Sequence, residues 1–213
     1  MIQQNHSEND LGSISLRENL ICVEKEESET MSNRVNLITE IAIMVAAAFV
    51  LSFVGFDAPW AYGGSISLEM LPIILMAYRR GVKAGIVTGM IFGIVDFLTD
   101  PSFVHPISIL VDYPIAFLLV GFAGILKPNP DKSHFSQGMV ITIGTLFGTA
   151  LRFVAHFISG LVWWRAFAPE GTPVWIYSLV YNAGYLIPSF ILTAVVLVLL
   201  IVAAPRLVKA RMA

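Results

Sequence analysis

The sequence predicts an all-α integral membrane protein with six transmembrane helices and both termini cytoplasmic. Composition and patterning carry that prediction. Hydrophobic residues make up 56% of the 213 and charged residues only 13%, with a mean hydropathy of +0.76, whereas soluble domains carry about a quarter charged residues. From Val35 onward, apolar runs alternate with short loops punctuated by Gly, Pro and charge, as expected of helices of about 20 residues crossing a hydrocarbon core.

Residues 1–33 are polar, acid-rich and aperiodic, with no apolar h-region. They read as a disordered acidic tail, neither a signal peptide nor a folded domain. Met31 opens MSNRVNLITE and has the look of a second start, which would make the residues before it an upstream extension. The membrane domain, 34–213, then divides into spans at roughly 36–55, 68–79, 83–99, 106–126, 137–165 and 177–204. The second is short and flanked by GGS and RRG. No internal repeat of the kind that marks many secondary transporters is visible. The single cysteine, Cys22, excludes an intramolecular disulfide and a CxxC motif. The net charge of −2 averages an acidic tail with a basic remainder, which gives no reason to expect a nucleic-acid partner.

Basic residues orient the spans, because Lys and Arg accumulate in cytoplasmic loops. Arg34 precedes the first span; Arg79, Arg80 and Lys83 lie between the second and third; Lys127 and Lys132 lie between the fourth and fifth; Arg206, Lys209 and Arg211 follow the sixth. The opposite loops hold Asp57, Asp100 and Glu170, with Arg165 alone among the bases.

Ionisable residues within spans are costly and normally face the bundle interior. Glu69, Asp112, Arg152 and His156 are such residues. Arg152, His156, Ser159 and Trp163 follow i, i+4, i+7, i+11 and form one helical stripe, with Trp164 beside it. Glu69, Asp112 with Tyr113, His156, and Tyr177 with Asn182 then share one depth near the outer side. Two carboxylates, an imidazole, a carboxamide and aromatic faces suit a flat, cationic, hydrogen-bonding organic molecule. Each residue also has a plainer reading. Trp60, Tyr62, Trp163, Trp164 and Trp175 fit an interfacial aromatic belt, Glu69 a helix dipole, and Asp112 an ion pair with Arg152.

The stretches TEIAIMVAAAF, GGSISLEMLPIILMAYRRGVKAGIVTGMIFGI, VDYPIAFLLVGFAGIL, RFVAHFISGLVWW and YSLVYN, in that order from about Asn33 to the end, resemble the thiamine-specific substrate-binding component of the energy-coupling factor vitamin transporters. The resemblance implies a six-helix protein of the bacterial cell membrane that captures thiamine at its outer face. It also implies partners, a transmembrane coupling subunit and two ATPase subunits that hydrolyse ATP, and no cofactor of the chain's own. The family's binding positions fall on Glu69, Asp112, Tyr113, His156, Trp164, Tyr177 and Asn182, with Gly160 leaving room for the ligand, His156 reading the pyrimidine edge and Trp164 stacking on the ring. Its docking surface falls on Ala42 and Ala46, whose spacing leaves a smooth strip for a partner helix. Two positions depart from the pattern. Asp112 stands where the family has Glu, and Ser65 stands where it can carry Trp, which leaves Trp60 or Tyr62 to close over the ligand.

The alternatives are a binding component or secondary carrier for another cationic heterocyclic vitamin, and an intramembrane hydrolase using His156, Asp112 and Glu69. Neither HExxH nor GxSxG occurs, which speaks against the hydrolase. No Walker A motif GxxxxGK[ST] occurs either, so ATP hydrolysis would belong to another chain.

Overall fold

The computed structural model describes residues 30–57, 64–102, 104–129 and 131–208. It divides into two units, the described residues up to Thr39 belonging to one and those from Glu40 onward to the other; the second holds everything described below except the start of the first helix. Trp60 and Tyr62 lie outside the described residues.

Among the described residues, helices dominate: α1, Thr30–Ser52; α2, Met70–Arg80; α3, Val82–Thr99; α4, Pro106–Ile125; α5, His134–Val162; and α6, Val174–Ala203. All but α2 are long and apolar enough to cross a membrane. α2 has 11 residues, about 16 Å of helix, well short of a hydrocarbon core. It survives at that length because Met70 through Tyr78 are all buried in protein, so no backbone group there has to be reconciled with lipid. α1 begins at Thr30, so Thr30 to Asn33 are helical. Hydropathy marks where lipid-compatible residues start, whereas a helix extends into the polar residues before them.

The all-α expectation also missed a small antiparallel ribbon, in which β1 (Gly55–Asp57) pairs with β2 (Ser65–Ser67), Phe56 opposite Ile66. The pairing satisfies backbone groups in the loop that leads into α2.

The core packs Val45 and Ala48 of α1, Ile73 and Ile74 of α2, Phe92 of α3, Phe117 of α4, and Leu197 and Ile201 of α6. α3 and α4 touch backbone to backbone. A Cβ at Gly93 would lie 2.6 Å from the Tyr113 carbonyl oxygen, and one at Gly89 would run into that of Phe117. Small residues in this register let two helices approach closely, and they bring α3 directly behind Asp112 and Tyr113.

Candidate functional site

α4 is not one regular helix. His105 caps its start, accepting from the Ile107 amide at 3.1 Å, with Pro106 in the first turn. Val111–Ile115 then forms a π-turn containing Pro114. Proline has no N–H and its ring crowds the preceding turn. A wider turn relieves both problems, and such turns recur at functional sites because they re-aim neighbouring side chains. Here the neighbours are Asp112 and Tyr113.

Asp112 faces α5 and accepts three hydrogen bonds. Oδ1 receives His156 Nδ1 at 3.2 Å, and Oδ2 receives Ser159 Oγ at 2.7 Å and Trp164 Nε1 at 3.1 Å. Arg152 Nε donates to His156 Nε2 at 3.2 Å. A guanidinium can only donate, so Nε2 must be the unprotonated nitrogen and Nδ1 carries the proton that goes to Asp112. Arg152 also donates from Nη1 to Glu69 Oε1 at 2.8 Å, and its guanidinium lies 4.0 Å from the Phe117 ring centre. One chain of contacts thus links Glu69, Arg152, His156, Asp112 and Trp164 across α2, α4 and α5.

α6 supplies the opposite wall. Tyr177, Tyr181 and Tyr185 repeat every four residues and form an aromatic ladder, with ring centres 5.8 and 5.9 Å apart. Tyr185 meets the His156 ring edge-on at 6.1 Å and donates to Asn182 Oδ1 at 3.0 Å. Asn182 Nδ2 donates to the Ser178 carbonyl at 2.8 Å.

These walls enclose a cavity of about 410 Å³, within the range of small-molecule sites. All eight residues expected at the site, Glu69, Asp112, Tyr113, His156, Gly160, Trp164, Tyr177 and Asn182, line it, as does Ser65 of β2. Their individual geometry differs from expectation in four respects. Arg152, which the plainer reading paired with Asp112, pairs with Glu69 and lines the cavity. His156 has both ring nitrogens engaged within the protein, so neither is left to read a ligand edge in this arrangement. A Cβ on Gly160 would collide with Ser178, its Cβ at 2.8 Å and its Oγ closer still, so this glycine serves the approach of α5 to α6. Trp164 presents its N–H to Asp112, while Trp163 turns away and stacks near His105, ring centres 6.2 Å apart. Tyr113 pins the α3–α4 connection, its hydroxyl accepting from the Ser102 amide at 2.7 Å and donating to the Asp100 carbonyl at 2.9 Å.

Sequence reasoning overlooked Asp96 and Asp100, Phe117, Ser178, Tyr181 and Tyr185, which line the same cavity. Asp96 was detectable as an acid within an apolar span, and the tyrosines by their four-residue spacing. With them the charge balance is clear: Glu69, Asp96, Asp100 and Asp112 face one guanidinium, that of Arg152.

Comparison with known proteins agrees with this picture. Residues 38–209 match the family described as Thiamine transporter protein (Thia_YuaJ). The chain is 46% identical over 177 residues to the thiamine transporter ThiT of Bacillus subtilis (strain 168), an alignment covering 80% of this chain and 92% of that one. It is 35% identical over 187 residues to the thiamine transporter ThiT of Lacticaseibacillus paracasei, with 82% and 91% covered. Among solved structures, ThiT from Listeria monocytogenes superposes with a TM-score of 0.75 at 26% identity, over 83% of this chain and 99% of that one. The S component of a bacterial ECF transporter gives a TM-score of 0.50 at 18% identity, over 81% and 95%, a likeness of fold alone.

Proposed function

The chain belongs to the thiamine transporter protein family Thia_YuaJ, and from that premise we propose that it is the thiamine-binding S component of an ECF-type vitamin transporter. It is a multi-pass membrane protein and a transport component, not an enzyme. The observation that carries the ligand assignment is the cavity itself, where four carboxylates outnumber one guanidinium between aromatic walls. Surplus negative charge in a partly dry space favours a cation, and aromatic faces hold a flat one. Thiamine joins a thiazolium cation to an aminopyrimidine and satisfies both demands. Glu69, Asp112, Tyr113, His156, Gly160, Trp164, Tyr177 and Asn182 form the binding surface in this reading, some by contact and others by holding their neighbours.

The proposal extends to topology and partners. Six helices cross or enter the bilayer with both termini cytoplasmic, because Arg34, Arg79, Arg80, Lys83, Lys127, Lys132 and Arg206 belong to one side. The cavity lies toward the other side, at the Glu69 end of α2. Ala42 and Ala46, exposed on α1 while Val45 and Ala48 are buried, form the strip for the transmembrane coupling subunit, and two ATPase subunits hydrolyse ATP.

Titration calorimetry of the purified chain in detergent tests the binding step. One thiamine per chain without ATP or partners is the expected result; an absence of heat at about micromolar thiamine, where a Kd of that order gives roughly −8 kcal/mol, would refute it.

A further inference from the structure

Each carboxylate of the cavity differs in what it has left to offer. Asp112 has both oxygens engaged, accepting three hydrogen bonds from neutral protein donors. Glu69 is paired with Arg152 at 2.8 Å, and its charge is balanced by that guanidinium. Asp100 is exposed, at the end of α3, where water screens it. Asp96 lies one helical turn deeper on the same face, as the bond from the Asp100 amide to the Asp96 carbonyl at 2.9 Å shows. Its side chain is half-buried and lines the cavity. Among the described residues its carboxylate receives no hydrogen bond and forms no ion pair.

A thiazolium ion has no N–H. It cannot compete for a carboxylate as a hydrogen-bond donor, and gains most where it can come close to oxygens that protein donors do not already cover. An acid that stays unpaired inside a span is costly to keep, and a cationic ligand offsets that cost. We infer that Asp96 is the carboxylate that sets the preference for a cation, with Asp112 acting as an organiser that aligns His156, Ser159 and Trp164. This inference rests on the thiamine reading above and deepens it by assigning the charge recognition to α3, a helix for which the resemblance supplied no contact.

Two ligands separate the possibilities: thiamine and a neutral analogue in which an uncharged ring replaces the thiazolium. Wild-type protein is expected to prefer thiamine. In Asp96→Asn, thiamine Kd should rise by about tenfold or more, the loss typical of a charged partner in a poorly solvated site, while analogue Kd changes less than about threefold. Asp96→Glu should keep the preference, because the charge stays on the same face of α3. If the Asn variant does not fold, Asp96→Ser, smaller and free of steric conflict, carries the same expectation. Unchanged thiamine affinity in a folded Asp96 variant, or equal weakening of both ligands, overturns the inference. Failure of wild-type protein to bind thiamine at all would strike the functional proposal instead.

Discussion

α2 carries an ionic cluster at each end, and the two are built on opposite terms. At its C-terminal end Glu40 receives both Arg79, at 3.1 Å to each oxygen, and Arg80, at 2.7 and 2.9 Å. The remaining Arg79 nitrogen reaches the carbonyls of Arg206 and Leu207 at 3.3 and 3.2 Å. Forked donors meet forked acceptors there. At its N-terminal end, Arg152 pairs with Glu69 alone, while Asp96, Asp100 and Asp112 line the same cavity without a cation of their own among the described residues. The first cluster, closed on itself, ties α1, α2 and the C-terminal segment together. The second keeps a surplus of one sign and an open space beside it, the condition for addressing a molecule from outside. Ion pairs alone do not mark a binding site; an imbalance beside a cavity does.

Removing Arg152 should break the second cluster most severely. Arg152→Met keeps the length of the side chain but leaves Glu69, 7% exposed, without its partner, and breaking a buried pair on one side costs about 3–5 kcal/mol. A large fall in melting temperature in detergent and loss of thiamine binding are expected. The double variant Glu69→Gln, Arg152→Met should recover much of the stability, because no uncompensated charge then remains. A single variant that melts like the wild type would show that the pair does not hold α2 to α5.

The next step sharpens the role of Asp112 within the same cluster. Trp164→Phe retains an aromatic face and deletes only the indole donor 3.1 Å from Asp112 Oδ2. A bond to a charged acceptor contributes about 1.5–3 kcal/mol, but His156 and Ser159 still hold the carboxylate. The expected loss of thiamine affinity by fluorescence or calorimetric titration is therefore near the lower figure, about tenfold, with Trp164→Ala losing more because the ring goes too. Equal losses in the two variants would mean that the ring face contributes nothing.

The same contrast shows what could be read from the chain. Hydropathy placed four of the five long helices within about three residues, because the lipid criterion acts on each segment alone, missing the polar start of α1, and the shared depth of Glu69, Asp112, His156 and Asn182 brought together residues that do line one cavity. Pairing could not be read this way. Whether Arg152 meets Glu69 or Asp112 depends on how α4 is wound, and the π-turn at Pro114 rotates Asp112 toward Ser159 and Trp164. Gly160 carried a signal for space without saying that the occupant is Ser178. Gly85, Gly89 and Gly93 fall four residues apart, a signal the sequence reading passed over, and the close contact they allow with α4 is on the helix that carries Asp96 to the cavity, where no site residue was expected.

The closed cluster provides the smallest effect and the cleanest contrast. Glu40→Gln removes the one carboxylate that both arginines share, leaving two neighbouring guanidiniums with carbonyl partners only for Arg79. The side chains are 15–22% exposed, so water partly replaces what is lost, and the cost should be about 1 kcal/mol, toward the upper end for partly solvated pairs because the geometry is bidentate. High salt should narrow the difference from wild type, as it does for any accessible ion pair. Thiamine Kd, in contrast, should stay within about twofold, since α2 separates Glu40 from the cavity by about 16 Å of helix and distant sites without shared partners act independently. A tenfold loss of affinity in Glu40→Gln would mean that the two ends of α2 move together, and the division between a cluster that holds the fold and one that meets the ligand would have to be abandoned.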